Sequence, residues 1–328
     1  MEPKTLVLID GKNMLYRSHF SHRELASQGM KTGAIYGSLA GMLSMAKHLP
    51  DAAFAWVWDG DGKTWRHELS ASVYKANRSI RPSDERKEAL SQLPELKNLL
   101  TKMGFKNFEI EGLEGDDLVG ILTTAVIEKN LFDTVLINSS DRDFYQLISK
   151  RVAILKGLDK QTGKLNLIRK AEAEAEFGIP LEKIIQLRAL LGDSSDNILH
   201  MFKGVGPVTG AKLIQAGLDP SLPKFESMPK NVQWMFSKPL VIRGNAINFK
   251  FDWEKLHLNY KLTKIVTKDC EHFTKEVRGK VQELLSGLDK KSFLRKKTDS
   301  GWEYMTLTLG RMEMNALLER RQELWALP

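Results

Sequence analysis

Three carboxylates, Glu114, Asp116 and Asp117, stand together just before an apolar run with helical spacing at residues 118–126. Two interpretations are open for them. Acids favour the positive end of a helix, by up to about 1 kcal/mol each, so they fit the first turn of an ordinary helix. Acids packed this closely also repel, by about 4 kcal/mol for a pair 4 Å apart at an effective dielectric constant of 20. A divalent cation relieves that repulsion, and oxygen ligands suit Mg²⁺ or Mn²⁺.

Short apolar runs elsewhere in the chain predict the strands that would position these acids. The runs Thr5–Ile9, Phe54–Trp58 and Thr134–Ile137 are typical of strands buried on both faces of a parallel sheet. A helical pattern at residues 33–48 lies between the first two runs. This alternation predicts an open α/β sheet, in which ligands bind beyond the carboxyl ends of the strands.

An acid follows each of these strands, namely Asp10, Asp59 and the pair Asp141 and Asp143. One aspartate after a strand is usually a turn residue. Acids from three strands, arriving at one edge with Glu114–Asp117, favour a shared cation site instead. Asp141 and Asp143 are two residues apart, so in extended backbone their side chains would leave on the same side and suit one cation.

A second acidic pair, Asp193 and Asp196, follows an apolar helical pattern at Leu181–Leu191. The two acids are three residues apart, so they could share a helical face or a turn. Helix capping alone also explains this pair.

The segment Lys203-Gly204-Val205-Gly206 turns the chain into a predicted helix at residues 208–216, which carries Lys212. Backbone N–H groups at such a turn can bind a phosphate, and a positive φ would account for Gly206. Most Gly-x-Gly segments are simply tight turns. Two helices joined by this turn form a helix-hairpin-helix pattern, which indicates contact with the DNA backbone.

The long connection at residues 63–104 mixes basic and aromatic side chains. A solvated helical face explains most such charge runs. The alternative is a cover over the acidic edge that grips phosphate, because basic and aromatic side chains together suit single-stranded nucleic acid. The residues concerned are Lys63, Trp65, Arg66, Tyr74, Lys75, Arg78, Arg81, Arg86 and Lys87.

The composition sets limits on the class of protein. The 328 residues carry 49 Lys and Arg against 41 Asp and Glu, a net charge of +8, which is compatible with a polyanionic partner. Cys270 is the only cysteine, which excludes an internal disulfide and a cysteine-rich zinc site. No run is long enough for a membrane span, and the first five residues carry no secretion signal. We therefore expect a soluble cytoplasmic protein that does not bind membranes.

The chain after residue 218 is less informative. A basic run at Lys290–Lys297 is expected to be a solvated surface, followed by a strand at Tyr304–Leu309 and a terminal helix. We predict an α/β core at residues 1–178, with the cover at about 63–104, and a helix-hairpin-helix subdomain with a C-terminal extension at 179–328.

The ordered set of these motifs resembles the 5′-nuclease, or flap endonuclease, family. The likeness is to stand-alone bacteriophage or bacterial members and to the N-terminal nuclease domain of bacterial DNA polymerase I, over roughly residues 6–217. Gly115 departs from the pattern, because many relatives have Ala there. The motifs are Asp10-Gly11, Trp58-Asp59-Gly60, Tyr74–Arg78, Glu114–Asp117, Asp141-Arg142-Asp143 and Gly192–Asn197.

The resemblance implies a PIN-like, mostly parallel sheet flanked by helices, with a helical arch and a helix-hairpin-helix subdomain. It implies two Mg²⁺ or Mn²⁺ ions and a monovalent cation at the hairpin turn. One divalent ion would be bound by Asp10, Asp59, Glu114 and Asp116, and the other by Asp116, Asp141, Asp143 and Asp193, with Asp117 and Asp196 acting through water. Asp116 would thus touch both. Lys75 and Arg78 would hold the scissile phosphate, and Arg66, Tyr74, Lys203, Gly204, Val205, Gly206 and Lys212 would add nucleic-acid contacts.

The implied activity is 5′-3′ exonuclease and flap endonuclease cleavage, in DNA replication and repair, that leaves a 5′-phosphate and a 3′-hydroxyl. The implied substrates are DNA 5′ flaps, nicked or branched duplex and RNA–DNA hybrid, recognised by structure rather than by sequence. We expect a monomer in the cytoplasm of a bacterial cell or phage-infected host, with a replication protein as a candidate partner for the C-terminal tail.

Three other functions compete with this one. A non-catalytic binder of branched DNA would lack some of the acids, yet all are present. A PIN-like ribonuclease would usually be shorter and lack the helix-hairpin-helix at residues 203–212. A phosphatase or phosphotransferase is suggested by Asp141-x-Asp143, but that chemistry usually places a DxD on the first strand, where Asp10 is followed by Gly11 and Lys12.

Overall fold

The computed structural model describes residues 2–70, 74–75, 84–202, 204–237, 240–242, 245–247 and 252–328. Arg78 and Lys203, both predicted to contact nucleic acid, lie outside these ranges. The strands are β1 (Thr5–Asp10), β2 (Ala26–Ser27), β3 (Met30–Lys31), β4 (Ala52–Val57), β5 (Lys106–Phe108), β6 (Thr134–Asn138), β7 (Val152–Leu158), β8 (Leu165–Ile168), β9 (Leu240–Ile242) and β10 (Asn245–Ile247).

The α-helices alternate with these strands in the first half of the chain and dominate the second half. They are α1 (Gly11–Ser21), α2 (Gly33–Ala46), α3 (Trp65–Leu69), α4 (Asp84–Ser91), α5 (Leu93–Lys102), α6 (Gly115–Glu128), α7 (Lys170–Phe177), α8 (Ile184–Leu191), α9 (Pro207–Gln215), α10 (Lys230–Phe236), α11 (Trp253–Thr263), α12 (Lys275–Ser286), α13 (Asp299–Arg311), α14 (Asn315–Glu319) and α15 (Arg321–Ala326).

The predicted α/β sheet is confirmed. Among the described residues it has six strands in the order β5-β4-β1-β6-β7-β8, parallel except for the edge strand β8. Every residue of β4 is buried, as are the four central residues of β1, which explains why both read as continuous apolar runs. Asp10 is paired with Val57, and Ile9 with Asn138. The segments that follow β1, β4 and β6 therefore all start at the same sheet edge.

The chain forms two compact units. The first comprises Met1–Trp65, Arg81–Arg169 and Val266–Pro328, and the second comprises Arg66–Ile80 and Lys170–Ile265. This division differs from the predicted single boundary at residue 178, because the C-terminal segment returns to the unit that holds the sheet. A local sequence pattern does not reveal such a return, since the contacts that cause it are distant in the chain.

The strand predicted at Tyr304–Leu309 is wrong, because these residues lie within the helix α13. Alternating Thr and Leu side chains are typical of a strand. In the structure Met305 and Leu309, four residues apart, are fully buried, while Leu307 between them is 73% exposed. That is the burial pattern of one helical face. The Thr298 hydroxyl accepts a bond from the Gly301 amide and caps the start of the helix.

Arg295 is a buried anchor rather than part of a solvated basic surface, so the prediction for the run 290–297 is wrong at this residue. Its guanidinium lies 4.3 Å from the Phe105 ring centroid and 4.7 Å from that of Trp325. Its Nε donates to the Met103 carbonyl (2.7 Å), and Nη1 donates to the Leu327 carbonyl (3.0 Å). Burial lowers the pKa of Arg295 to about 9, so the group stays charged at neutral pH while it ties α15 to α5.

No helix in the described part of the chain is long and apolar enough to cross a membrane.

Candidate active site

Asp10 lies where β1 passes into α1, and donors from two neighbouring segments hold its carboxylate. As the N-cap of α1 it accepts a bond from the Asn13 amide at Oδ1 (3.0 Å), and Oδ2 accepts one from the Ser139 hydroxyl (2.8 Å). The Asn13 side chain in turn contacts Ser140, with Nδ2 donating to Oγ (2.9 Å). These contacts fix the Asp10 carboxylate beside the end of β6.

The pKa of Asp10 is raised to about 7, mainly by burial. The bonds from Asn13 and Ser139 act to lower it, and the negative charges of Asp59 and Asp141 act to raise it. The acids that follow β1, β4 and β6 are thus close enough to repel. A divalent cation would relieve this repulsion, and the donors are all hard oxygens, so the chemistry of the site fits Mg²⁺ or Mn²⁺.

This pKa shift gives a stability prediction for the metal-free protein. Asp10 binds its proton more tightly in the folded state than in the unfolded state, where its pKa is near 3.8. The free energy of unfolding should therefore fall as pH rises from about 4 to 7 and level off above 7. Asp10→Asn should be more stable than the wild type by about 1–2 kcal/mol at pH 8 and by much less at pH 5. The effect stays below the full value of the pKa shift because solvent reaches the carboxylate in part.

The measurement is urea denaturation of both proteins in chelator at pH 5 and pH 8. Asp51→Asn, which removes one charge from the exposed turn before β4, is the matched control and should show no such difference. Equal stability of Asp10→Asn and wild type at pH 8 would show that the partly buried Asp10 charge does not destabilise the metal-free fold.

Asp59 follows β4 and is held on both sides. Its Oδ1 accepts a bond from the Gly115 amide at the start of α6 (2.7 Å), and its Oδ2 lies 2.7 Å from the Lys12 ammonium. A Cβ on residue 115 would stand 2.9 Å from that Oδ1, so the glycine allows the close approach. Lys12 was not among the predicted site residues; the signal for it in the sequence is a basic residue two positions after the first strand-end acid.

The carboxylates before and within the first turn of α6 have different environments. Glu114 is the N-cap and is buried, and Asp116 is partly exposed. Asp117 is fully buried: Oδ2 accepts a bond from the Trp65 indole N–H (2.8 Å) and Oδ1 accepts one from the Val266 amide (2.9 Å). Asp117 therefore bonds to Trp65, where the chain leaves the first unit, and to Val266, where it returns to that unit.

Asp141 and Asp143 are joined by a turn, so the extended backbone expected for them is wrong. A 3₁₀ helix begins at Asp143, and the Asp143 amide donates to Asp141 Oδ1 (2.9 Å). The Asp141 amide donates to the Ser139 hydroxyl (3.0 Å), which itself bonds to Asp10. Asp141 is thereby connected to Asp10 through one serine.

Across the described ranges, no three His, Cys, Asp or Glu side chains stand as a ready-made metal ligand set. The acids at the sheet edge are held by protein donors instead: an ammonium, a hydroxyl, an indole and backbone amides. The assignment of individual ligands stays a prediction.

In the second unit, Asp193 and Asp196 lie in the loop after α8. Asp193 Oδ2 accepts a bond from Arg188 Nη2 (2.8 Å), and Oδ1 accepts bonds from the Ser195 amide and hydroxyl (both 2.7 Å). Burial acts to raise the pKa of Asp193, but the bonds from Ser195 and the charge of Arg188 outweigh it and hold that pKa below its usual value. Asp193 is therefore ionised at neutral pH.

Residues 74–75 of the predicted cover are tied to the same loop. The Lys75 amide donates to the Asp196 carbonyl (2.8 Å), and the Tyr74 hydroxyl donates to Asp196 Oδ2 (3.4 Å). Lys75 has a φ of 52°, in the left-handed region, and its ammonium lies 4.7 Å from the Tyr74 ring centroid. The sequence did not indicate that this lysine and the loop of Asp196 would be joined.

Arg66, predicted to contact nucleic acid, is only 3% exposed. Its Nε donates to the Leu262 carbonyl (2.9 Å) and its Nη2 to the Lys264 carbonyl (2.8 Å). In this structure those donors hold the end of α11 rather than facing solvent.

The turn before α9 keeps its backbone open. Gly204 has a φ of 85°, whereas Gly206 has a φ of −92°, so the positive φ expected for Gly206 belongs to Gly204. Apart from the adjacent residues in the chain, no atom of the described residues lies within 4 Å of a Cβ built on either glycine. Lys212 is exposed, and the side chain of Val208 is 72% exposed at the start of the helix. A phosphate can approach this turn without steric hindrance.

The sheet, its acidic carboxyl edge and the flanking helices define a resolvase-like, PIN-like α/β fold. Residues 5–178 match the family described as 5′-3′ exonuclease, N-terminal resolvase-like domain. The chain belongs to this 5′-3′ exonuclease family. The 5′-3′ exonuclease of Bacillus subtilis is 31% identical over 240 residues, which cover 71% of this chain and 78% of the relative.

A longer relative agrees with this assignment, and a solved structure shares the fold. The DNA polymerase I of Deinococcus radiodurans is 36% identical over 215 residues, 65% of this chain but 21% of the polymerase. The chain thus spans about a fifth of that relative's length. The bacteriophage T5 flap endonuclease, solved as a pseudo-enzyme–product complex with DNA and metal ions, superposes with a TM-score of 0.56 at 20% identity, over 94% of this chain and 99% of that one. This last likeness concerns the fold.

Proposed function

We propose that this protein is a structure-specific 5′ nuclease that hydrolyses phosphodiester bonds with divalent cations, at 5′ flaps, 5′ ends or RNA primers, in DNA replication and repair. The observation that carries the proposal is the edge where β1, β4 and β6 end. There burial, together with the charges of Asp59 and Asp141, raises the pKa of Asp10 in a protein whose net charge is +8. Negative charge concentrated in a basic protein suits cations that themselves bind a polyanion.

The carboxylates of this edge would hold the cations, which we expect to be two Mg²⁺ or Mn²⁺ ions. When bound, such ions activate a water and stabilise charge on the attacking and leaving oxygens. Ser139 and the Asn13 amide orient the Asp10 carboxylate, and the Gly115 amide orients Asp59. These donors limit the movement of the ligands, which is what a precise geometry of attack requires. The residues proposed to bind are Asp10, Asp59, Glu114, Asp116, Asp141 and Asp143.

Basic groups of the second unit would contact the DNA phosphates. Lys75, held by its own amide on the Asp196 carbonyl, is proposed to stabilise charge that grows on the scissile phosphate. The open turn at Gly204–Gly206 and the exposed Lys212 are proposed to grip one strand of the duplex. Backbone N–H groups and a lysine do not read bases, so recognition should depend on the shape of the DNA.

The proposal is tested against its rivals with three substrates in Mg²⁺: a 5′-flap DNA, a single-stranded RNA and a small phosphomonoester. We expect cleavage of the flap near its junction and slow or no turnover of the other two. Preferred cleavage of the RNA would support a PIN-like ribonuclease, and turnover of the monoester would support a phosphatase. Tight flap binding without cleavage would support a non-catalytic binder.

A separate prediction concerns Lys212. Lys212→Ala should weaken flap binding and make the slope of log K against log salt shallower by about 0.9, the increment for one lost phosphate contact on duplex. The measurement is a series of binding isotherms in Ca²⁺, over several salt concentrations, on two flaps of unrelated sequence. Lys230→Ala, at an exposed lysine on α10, is the matched control. An unchanged salt slope for Lys212→Ala would mean that Lys212 does not contact the duplex.

A further inference from the structure

Lys12 is a cation already placed on one of the proposed ligands. It lies in the first turn of α1, and its ammonium is 2.7 Å from Asp59 Oδ2. The Gly115 amide bonds to the other oxygen of the same carboxylate. The two side chains of the ion pair are 38% and 34% exposed, so water and ions can reach them.

An ammonium and a divalent cation cannot both take the same position on Oδ2. We propose that the Lys12 ammonium competes with the divalent cation for the Asp59 carboxylate. It neutralises this carboxylate when no metal is bound and is displaced from it when metal binds. The inference rests on the proposed function, because it takes Asp59 to be a ligand. Lys12 would then set the metal concentration at which the site fills and would keep the acidic edge stable without metal.

The structure leaves room for the displaced side chain. Lys12 and Asp59 line a cavity of about 450 Å³, whose walls include Asp61, Pro94 and Glu109. Asp61 offers negative charge to an ammonium that has left Asp59, and the lysine stem is long enough to reorient without a change in the backbone.

Lys97 supplies a matched comparison within the same cavity. Its ammonium pairs with Glu109 and lies 5.4 Å from the Trp58 ring centroid, and Glu109 is not a proposed ligand. Lys97→Met removes the same charge from the same cavity without freeing Asp59. A general effect of net charge on metal binding would therefore appear equally in both variants.

The test is Mn²⁺ binding to the full chain without DNA, measured from the signal of free Mn²⁺ in electron paramagnetic resonance. We expect Lys12→Met to bind Mn²⁺ about two- to fivefold more tightly than the wild type, since a partly exposed ion pair shifts an equilibrium constant by about that factor. Lys12→Arg keeps the charge and should stay close to wild type, as should Lys97→Met. Lys12→Met should also lower the thermal midpoint in chelator more than in saturating Mn²⁺.

Unchanged or weaker Mn²⁺ binding by Lys12→Met would overturn the inference, and so would equal tightening by Lys12→Met and Lys97→Met. Those results leave the proposed nuclease function intact, because the wild type still binds metal. A wild type that binds no Mn²⁺ would instead overturn the proposed function together with the inference.

Discussion

Asp116→Asn should reduce the single-turnover rate of flap cleavage by about a thousandfold, the upper range for loss of one preorganised electrostatic contact. Asp116 is partly exposed in the first turn of α6 and is the residue proposed to touch both cations. Asparagine has the same shape, so the free energy of unfolding should change by no more than about 0.5 kcal/mol. Flap affinity should hold or rise when metal is scarce, since one negative charge near the phosphates is gone.

The measurement combines single-turnover cleavage in Mg²⁺ with flap binding in chelator. Turnover within tenfold of wild type would show that Asp116 does not bridge the cations. Loss of turnover together with a large loss of stability would show that the residue acts through the fold.

Asp117→Asn, one residue further on, should lower the free energy of unfolding while leaving most of the turnover intact. The buried Asp117 carboxylate accepts bonds from two N–H donors, those of Trp65 and Val266. An asparagine has one oxygen, so its NH₂ group would have to face one of these donors. A lost hydrogen bond to a charged group, with a buried donor left unsatisfied, should cost about 2–3 kcal/mol of unfolding free energy. Turnover of the molecules that remain folded should stay within about tenfold of wild type.

The two variants control for each other, because the same chemical change is made at adjacent positions. Urea denaturation and single-turnover cleavage of both proteins give the comparison. If Asp117→Asn is as stable as wild type but inactive, the residue acts on the cations through water, as the resemblance implied. Unchanged stability with unchanged turnover would mean that Asp117 neither stabilises the fold nor acts on the cations.

Asp116 and Asp117 also show what the sequence could predict and what it could not. The strand-end acids Asp10 and Asp59 were placed correctly at one edge, because continuous apolar runs identify buried parallel strands and such strands align their carboxyl ends. Nothing local distinguishes the partly exposed Asp116 from the fully buried Asp117. Their difference arises from Val266, which is 149 residues away from Asp117 in the chain.

The same limit applies to the basic residues. Lys12 is separated from Asp59 by 47 residues, so the ion pair exists only once β1 and β4 are side by side. Arg295 looked like one of several solvated cations, yet it packs between two aromatic rings that come from distant parts of the chain. Helix α13 was mistaken for a strand because Thr and Leu alternate, and only the burial of Met305 and Leu309 reveals its period.

The central claim, that this chain cleaves DNA with divalent cations held by its acidic edge, is tested most directly by a single-turnover assay on an end-labelled 5′ flap. The rate is followed in Mg²⁺, after addition of excess chelator, and after Mg²⁺ is restored. We expect cleavage in Mg²⁺, none above background in chelator, recovery when the ion returns, and binding without turnover in Ca²⁺. Full cleavage in excess chelator would contradict the account.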